Sequence, residues 1–215
     1  MTSPEPFIAE GVRGFLHRAA GHAEVGLVLT HGAGGNCTML LLAAVATAFA
    51  AAGCDVLRCD LPFRQRRPKG PPAPSGAAAD RAGLRRAVAA LRAQGPRKII
   101  LGGQSYGGRQ ATMLAADDPR LTDGLLLLSY PLHPPGRPDR LRTEHFPRLE
   151  TPCVFVSGTA DPFGSPAELR DAISLIPALT EMIAIEGAGH DLRRGRFDPV
   201  PVLAAVERLK QQASG

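Results

Sequence analysis

Two short runs, Val25 to Thr30 and Leu125 to Ser129, are apolar at almost every position and show no polar alternation. A strand with one face in water alternates apolar and polar side chains, so a run without alternation must be buried on both faces. That requires helices above and below the sheet. Further strands are expected at Asp55 to Cys59, Lys98 to Gly102, Cys153 to Ser157 and Met182 to Ile185, with a weaker leading strand at Val12 to His17. Between them lie stretches with helical patterning. One runs from Thr38 to Ala52 and is stopped by Gly53; another runs from Asp80 to Ala93, with Asp80 as N-cap and Gly95-Pro96 as the stop. A third starts just after Ser105, and the last two cover Pro166 to Ile176 and Val200 to Lys210. Strands separated by single helices make right-handed βαβ crossovers. The expected fold class is therefore α/β, a mostly parallel central sheet with helices on both faces and no large cap. With 215 residues, 44% of them hydrophobic, one domain over residues 1–215 is expected, its core spanning about 12–210.

Two segments break the pattern. Residues 61–76 and 130–147 are rich in proline and longer than connectors, which have a median of about 4–6 residues. Both are expected to be loops walling a pocket. The first carries Arg64, Arg66, Arg67 and Lys69, read as a solvated loop ahead of a site for an anionic group. The formal charge is +5, but the arginines are dispersed and no basic run is interleaved with aromatics, so no nucleic-acid partner is expected. The longest apolar run, Met39 to Ala52, is short of the roughly 20 residues of a membrane span. The first residues lack the pattern of a signal peptide, and a cytoplasmic protein is expected. The four cysteines have no zinc-ligand spacing, and Cys54 and Cys59 point to opposite faces of one strand, so reduced, buried thiols and no metal are expected.

The chemistry concentrates in Gly103-Gln104-Ser105-Tyr106-Gly107, which lies between a strand and a helix. A strand that turns sharply into a helix brings its backbone against its neighbours. The residues two before and two after the serine must then be small, and the serine is held strained with its hydroxyl projecting. A serine hydroxyl needs a base to become a nucleophile. His190, in Gly187-Ala188-Gly189-His190, follows the last strand and so lies at the carboxyl edge of the sheet, where Ser105 also emerges. Its other ring nitrogen needs an acceptor. Asp161, after the strand Cys153 to Ser157, fits best; Asp191 and Asp60 are weaker competitors. An oxyanion would be met by the backbone N–H groups of Tyr106 and Ala33, with Gly34 as the alternative donor, from the loop His31-Gly32-Ala33-Gly34-Gly35. That loop lacks the spacing of a phosphate-binding loop. His31 is expected to hold it by hydrogen bonding. His31, Tyr130, His133 and Arg137 are candidates for pocket lining.

With its motifs in the order Ser105, Asp161, His190, preceded by His31-Gly32, the chain resembles the α/β-hydrolase superfamily over residues 12–210, within it the small, capless dienelactone-hydrolase-like group. The resemblance implies an α/β-hydrolase fold and hydrolysis of a small-molecule ester, thioester or related acyl substrate through an acyl-enzyme, with no cofactor. True dienelactone hydrolases carry cysteine at the nucleophile position. Ser105 stands there in this chain, so dienelactone is not implied as the substrate. Two other readings use the same fold: a non-catalytic interaction scaffold, and an acyltransferase with the same triad. The sequence implies no particular oligomeric state.

Overall fold

The apolar runs assemble into one eight-stranded sheet, described by a computed structural model over residues 3–192 and 198–212. The strands are β1 (Glu5–Ala9), β2 (Val12–His17), β3 (Val25–Thr30), β4 (Asp55–Cys59), β5 (Lys98–Gln104), β6 (Gly124–Leu128), β7 (Cys153–Gly158) and β8 (Thr180–Ile185). Their spatial order is β1-β2-β4-β3-β5-β6-β7-β8; the β1–β2 and β2–β4 pairings are antiparallel, and the other five are parallel. The helices are α1 (Leu40–Ala51), α2 (Pro62–Arg66), α3 (Ala77–Arg92), α4 (Tyr106–Asp117), α5 (Pro166–Ile173) and α6 (Pro199–Gln212). Alternate residues of β3 sort to the two faces: Leu27 and Leu29 pack with α1 and α6, while Val28 packs with α3 and α4. This two-sided burial is the reason for the unbroken apolar run. The predicted core span, 12–210, includes residues 193–197, which lie outside the described residues.

Three expectations need correction. The leading strand is β2, not the first: β1 pairs with it through a turn in which Glu10 and Gly11 both have positive φ. An edge strand with Ile8 82% exposed and two prolines nearby carries no burial pattern to read. Residues 61–76 are not irregular throughout, because α2 begins at Pro62, where a first-turn proline is pre-set for helix. A 3-10 turn, Pro74–Gly76, then leads directly into α3. Finally, Asp80 is not an N-cap: α3 starts at Ala77 behind Gly76, and the Asp80 side chain turns into the protein. The second long segment, 130–147, runs into a 3-10 turn at Phe146–Arg148. The cysteines are all buried, Cys54 and Cys59 in opposite packing layers, and no disulfide joins described residues.

Two buried histidines are expected to make the fold acid-sensitive. Burial, then Arg58, lowers the His17 pKa to about 4; burial, then Arg109, does the same to His145. His17 Nε2 accepts from Arg58 Nε at 2.8 Å, and His145 Nε2 lies 2.8 Å from Thr112 Oγ1. Unfolded, both titrate near 6.5, so as pH falls the unfolded chain binds protons first. Their contribution is full above pH 6.5 and is lost as pH falls towards 4. Tm measured across that window is expected to drop by several degrees, and His145→Gln should flatten part of the drop.

Candidate active site

Strand β5 ends at Gln104, and α4 begins at Tyr106, so Ser105 alone makes the turn, with φ 49 and ψ −115. Such a conformation costs about 1–3 kcal/mol in a non-glycine residue and persists only where its surroundings enforce it. Here the Ser105 N–H donates to Leu128 O at 2.8 Å, tying the turn to β6. The flanking glycines are sterically required. A Cβ on Gly103 would lie 2.7 Å from the Gly107 carbonyl carbon, and one on Gly107 would lie 2.6 Å from His31 O. The turn is thereby pressed against the loop that follows β3.

His190 lies after β8 and meets both partners expected of it. Its Nε2 is 2.8 Å from Ser105 Oγ, and its Nδ1 is 2.9 and 3.0 Å from the two Asp161 oxygens. The carboxylate can only accept, so Nδ1 carries the proton and Nε2 is left to accept from the serine hydroxyl. The Asp161 side chain is 1% exposed and that of His190 23%, so the imidazole is partly open to solvent while its acceptor is not. Asp161 also accepts the Phe163 N–H at 2.9 Å. The Phe163 ring stacks on the His190 imidazole with centroids 4.0 Å apart, and Gln104 Nε2 donates to His190 O at 3.3 Å. Phe163 was not legible in the sequence; it marks no turn or strand and gains its role only by stacking. The weaker candidate Asp60 is engaged elsewhere. Asp60 accepts from Arg13 and from the Cys37 N–H.

The glycine loop after β3 is held from behind. His31 is fully buried; its Nε2 accepts the Leu61 N–H at 3.1 Å, so Nδ1 carries the proton and donates to Gly32 O at 2.8 Å. Burial lowers its pKa, keeping it neutral. Gly32 O also accepts the Gly35 N–H at 3.1 Å. A peptide is planar and trans, so pinning Gly32 O aims the Ala33 N–H the opposite way. This peptide borders the serine: a Cβ on Gly32 would lie 3.3 Å from Ser105 Cβ. Tyr106 is the first residue of α4, and a helix leaves its first N–H groups without intrahelical partners.

The expected pocket-lining residues fare differently. His31 is buried behind the loop and lines nothing. Tyr130 is 2% exposed, packs on Phe146 and Phe155, and donates to Arg142 O; it belongs to the core. His133 is 5% exposed, and its backbone N–H donates to Phe163 O at 3.0 Å, tying the two segments together. Arg137 is exposed beside Asp139. The Tyr106 hydroxyl donates to Asp80 at 2.8 Å, and Phe63 packs edge-on against its ring. Burial, then that carboxylate, pushes the phenol pKa up, so it stays protonated. Burial and then Asp60 likewise push Cys37 up to about 12, which leaves it inert. Among the described residues, no cluster of His, Cys, Asp and Glu is arranged to hold a metal ion, and no helix is long and apolar enough to cross a membrane.

Residues 23–213 match the family model described as an alpha/beta hydrolase domain. The chain belongs to the α/β-hydrolase family. The fold of this α/β hydrolase is similar to that of a lidless α/β serine hydrolase from Xanthomonas campestris. That similarity has a TM-score of 0.73 at 17% identity and covers 99% of this chain and 95% of the other. It is also similar to the dienelactone hydrolase of Anabaena variabilis, with a TM-score of 0.68 at 20% identity, covering 98% and 96% of the two chains. A 76-residue stretch, 34% of this α/β hydrolase, is 38% identical to the polyketide synthase ThaQ of Burkholderia thailandensis and spans 4% of that protein.

Proposed function

We propose that this α/β hydrolase is a serine hydrolase that cleaves a carboxylic ester or thioester through an acyl-enzyme on Ser105. The reading rests on one imidazole, that of His190, hydrogen-bonded at the same time to the Ser105 hydroxyl and the buried Asp161 carboxylate. Ser105 Oγ attacks the acyl carbon while its proton passes to His190 Nε2. The tetrahedral oxyanion is met by the N–H groups of Ala33 and Tyr106, with Gly34 as the alternative to Ala33. Collapse breaks the bond to the leaving group, which departs with the proton from His190. Water then attacks the acyl-enzyme, gives a proton to His190 and releases the acid; Ser105 recovers its proton. Asp161 holds the ring in the productive tautomer and stabilises the imidazolium. The His190 side chain is 23% exposed and no cap domain lies among the described residues, which suits small or surface-accessible esters.

Intact-mass analysis after treatment with a fluorophosphonate probe tests the reading. One adduct per chain is expected on wild type and none on Ser105→Ala. Folded wild-type protein that takes up no probe would exclude an activated serine and favour the non-catalytic scaffold. Product analysis with added alcohols or amines separates hydrolysis from acyl transfer.

A further inference from the structure

We propose that Arg64 is a positioning residue for this reaction: its guanidinium holds the oxyanion loop in the conformation that presents Ala33 and Gly34 to the substrate. The inference rests on the serine-hydrolase reading above. Arg64 opens the basic run, but it does not share the surface position of its neighbours. It is 4% exposed, whereas Arg66, Arg67 and Lys69 are exposed.

Its hydrogen bonds explain the burial. Nε donates to Gly35 O at 2.7 Å, and Nη2 donates to Ala33 O at 2.8 Å and Gly70 O at 3.1 Å. Nη1 donates to Arg67 O at 3.2 Å. A buried guanidinium is tolerated only when its N–H groups are satisfied, and here backbone carbonyls satisfy it. Two of the four carbonyls belong to the loop beside Ser105. The cation is thus used to hold main chain. Lysine, a compact charge on a flexible stem, lacks the planar fork needed to span Ala33 O and Gly35 O together.

Peptide planarity turns those bonds into direction. Ala33 O and the Gly34 N–H share one plane, so fixing the carbonyl on Arg64 aims the Gly34 N–H away from it. The preceding plane is fixed by His31 and Gly35 acting on Gly32 O. Both amides that can meet the oxyanion therefore lie in peptides held by a named donor. The helix carrying Arg64 touches the second arm of the site as well. Phe63 packs edge-on against both His31 and Tyr106, at centroid distances of 5.6 and 5.8 Å. The Phe63 N–H donates to Asp80, the acceptor of the Tyr106 hydroxyl. The proline-rich segment thus brackets the two amide donors together.

The test compares Arg64→Lys and Arg64→Gln with wild type on a p-nitrophenyl ester, with circular dichroism and Tm as checks on folding. Removing an oxyanion donor outright costs about 10²–10³ in kcat, so misaiming one is expected to cost roughly 10–100-fold in Arg64→Gln, with Arg64→Lys between it and wild type. KM should stay within about threefold, because the lost contact is made in the transition state. Affinity for a trifluoromethyl ketone, which mimics the tetrahedral adduct, should weaken in parallel with kcat/KM. The acid limb of the kcat/KM pH profile should not move, because His190 and Asp161 are untouched. Folded variants with wild-type kcat, or a rise in KM alone, would overturn the proposal. So would loss of the folded state in both variants, which would assign Arg64 to stability. Wild type that neither takes up the fluorophosphonate nor cleaves any ester would remove the hydrolase reading itself, a separate failure.

Discussion

Ser105→Ala, His190→Ala and the double variant are expected to hydrolyse ester at one common residual rate, about 10⁴–10⁶-fold below wild type in kcat. The expectation follows from how the three groups are joined. Without His190, the Ser105 hydroxyl keeps its proton and is a poor nucleophile. Without Ser105, the imidazole has no hydroxyl to activate at 2.8 Å. Either loss disables the same step, so the second adds nothing. What remains is expected to come from the proposed oxyanion donors, the Ala33 and Tyr106 amides, and from substrate binding, neither of which the substitutions touch. Asp161→Asn is expected to fall less far, because the ring keeps its stacking on Phe163 and its backbone bond from Gln104. Steady-state kcat on a p-nitrophenyl ester, with each variant checked by circular dichroism, makes the comparison. Losses that multiplied in the double variant would mean that the two residues do not act as a unit, and the proposed mechanism would fail.

The contrast between legible and illegible features has a physical cause. The parallel strands were legible because burial on both faces leaves unbroken apolar runs, such as Val25 to Thr30, which β3 matches residue for residue. The serine turn was legible because sterics restrict it: a Cβ at Gly103 or Gly107 would collide with backbone, and the required pattern is written in five adjacent residues. Strand β1 was not legible, because an exposed edge strand needs no alternation. The role of Asp80 was hidden for another reason. Its position resembles a helix start, but its carboxylate serves the Phe63 N–H and the Tyr106 hydroxyl, and no local signal separates a cap from a tertiary acceptor. Arg64 was hidden most completely. Its acceptors are carbonyls, which every residue has, so the chain carries no partner side chain to pair with it. A basic run looks alike whether its first member is solvated or buried. Tyr130 and His133 were misplaced by the same blindness, since a long loop reads as surface even where it folds inward.

Gly158→Ala is expected to damage the site more than Gly189→Ala, although Gly189 adjoins His190 in sequence and Gly158 does not. Gly158 ends β7, and a Cβ there would lie 2.1 Å from Ala188 O, 2.6 Å from the Ala188 carbonyl carbon and 2.8 Å from Gly189 O. All three atoms are backbone, so no side chain can swing aside. The segments are also bonded together: Ala160 N–H donates to Ala188 O, and Gly187 N–H to Thr159 Oγ1. One of them carries Asp161 and the other His190. Making room for the methyl must drive them apart and carry the imidazole away from Ser105 Oγ. Overpacking of this kind typically costs about 1–3 kcal/mol. In a chain of this size that is a Tm loss of roughly 3–10 °C. A displacement of about 1 Å at reacting groups costs on the order of 10²-fold in rate, so kcat should fall at least that far. At Gly189 the nearest heavy atom to an added Cβ is Ala160 O at 4.0 Å, an ordinary contact. Gly189→Ala should therefore keep kcat within a few-fold of wild type. Thermal melts and ester kinetics on the two variants decide the matter: equal activity in both would show that the approach of Gly158 to Ala188 does not hold His190 in register with the serine.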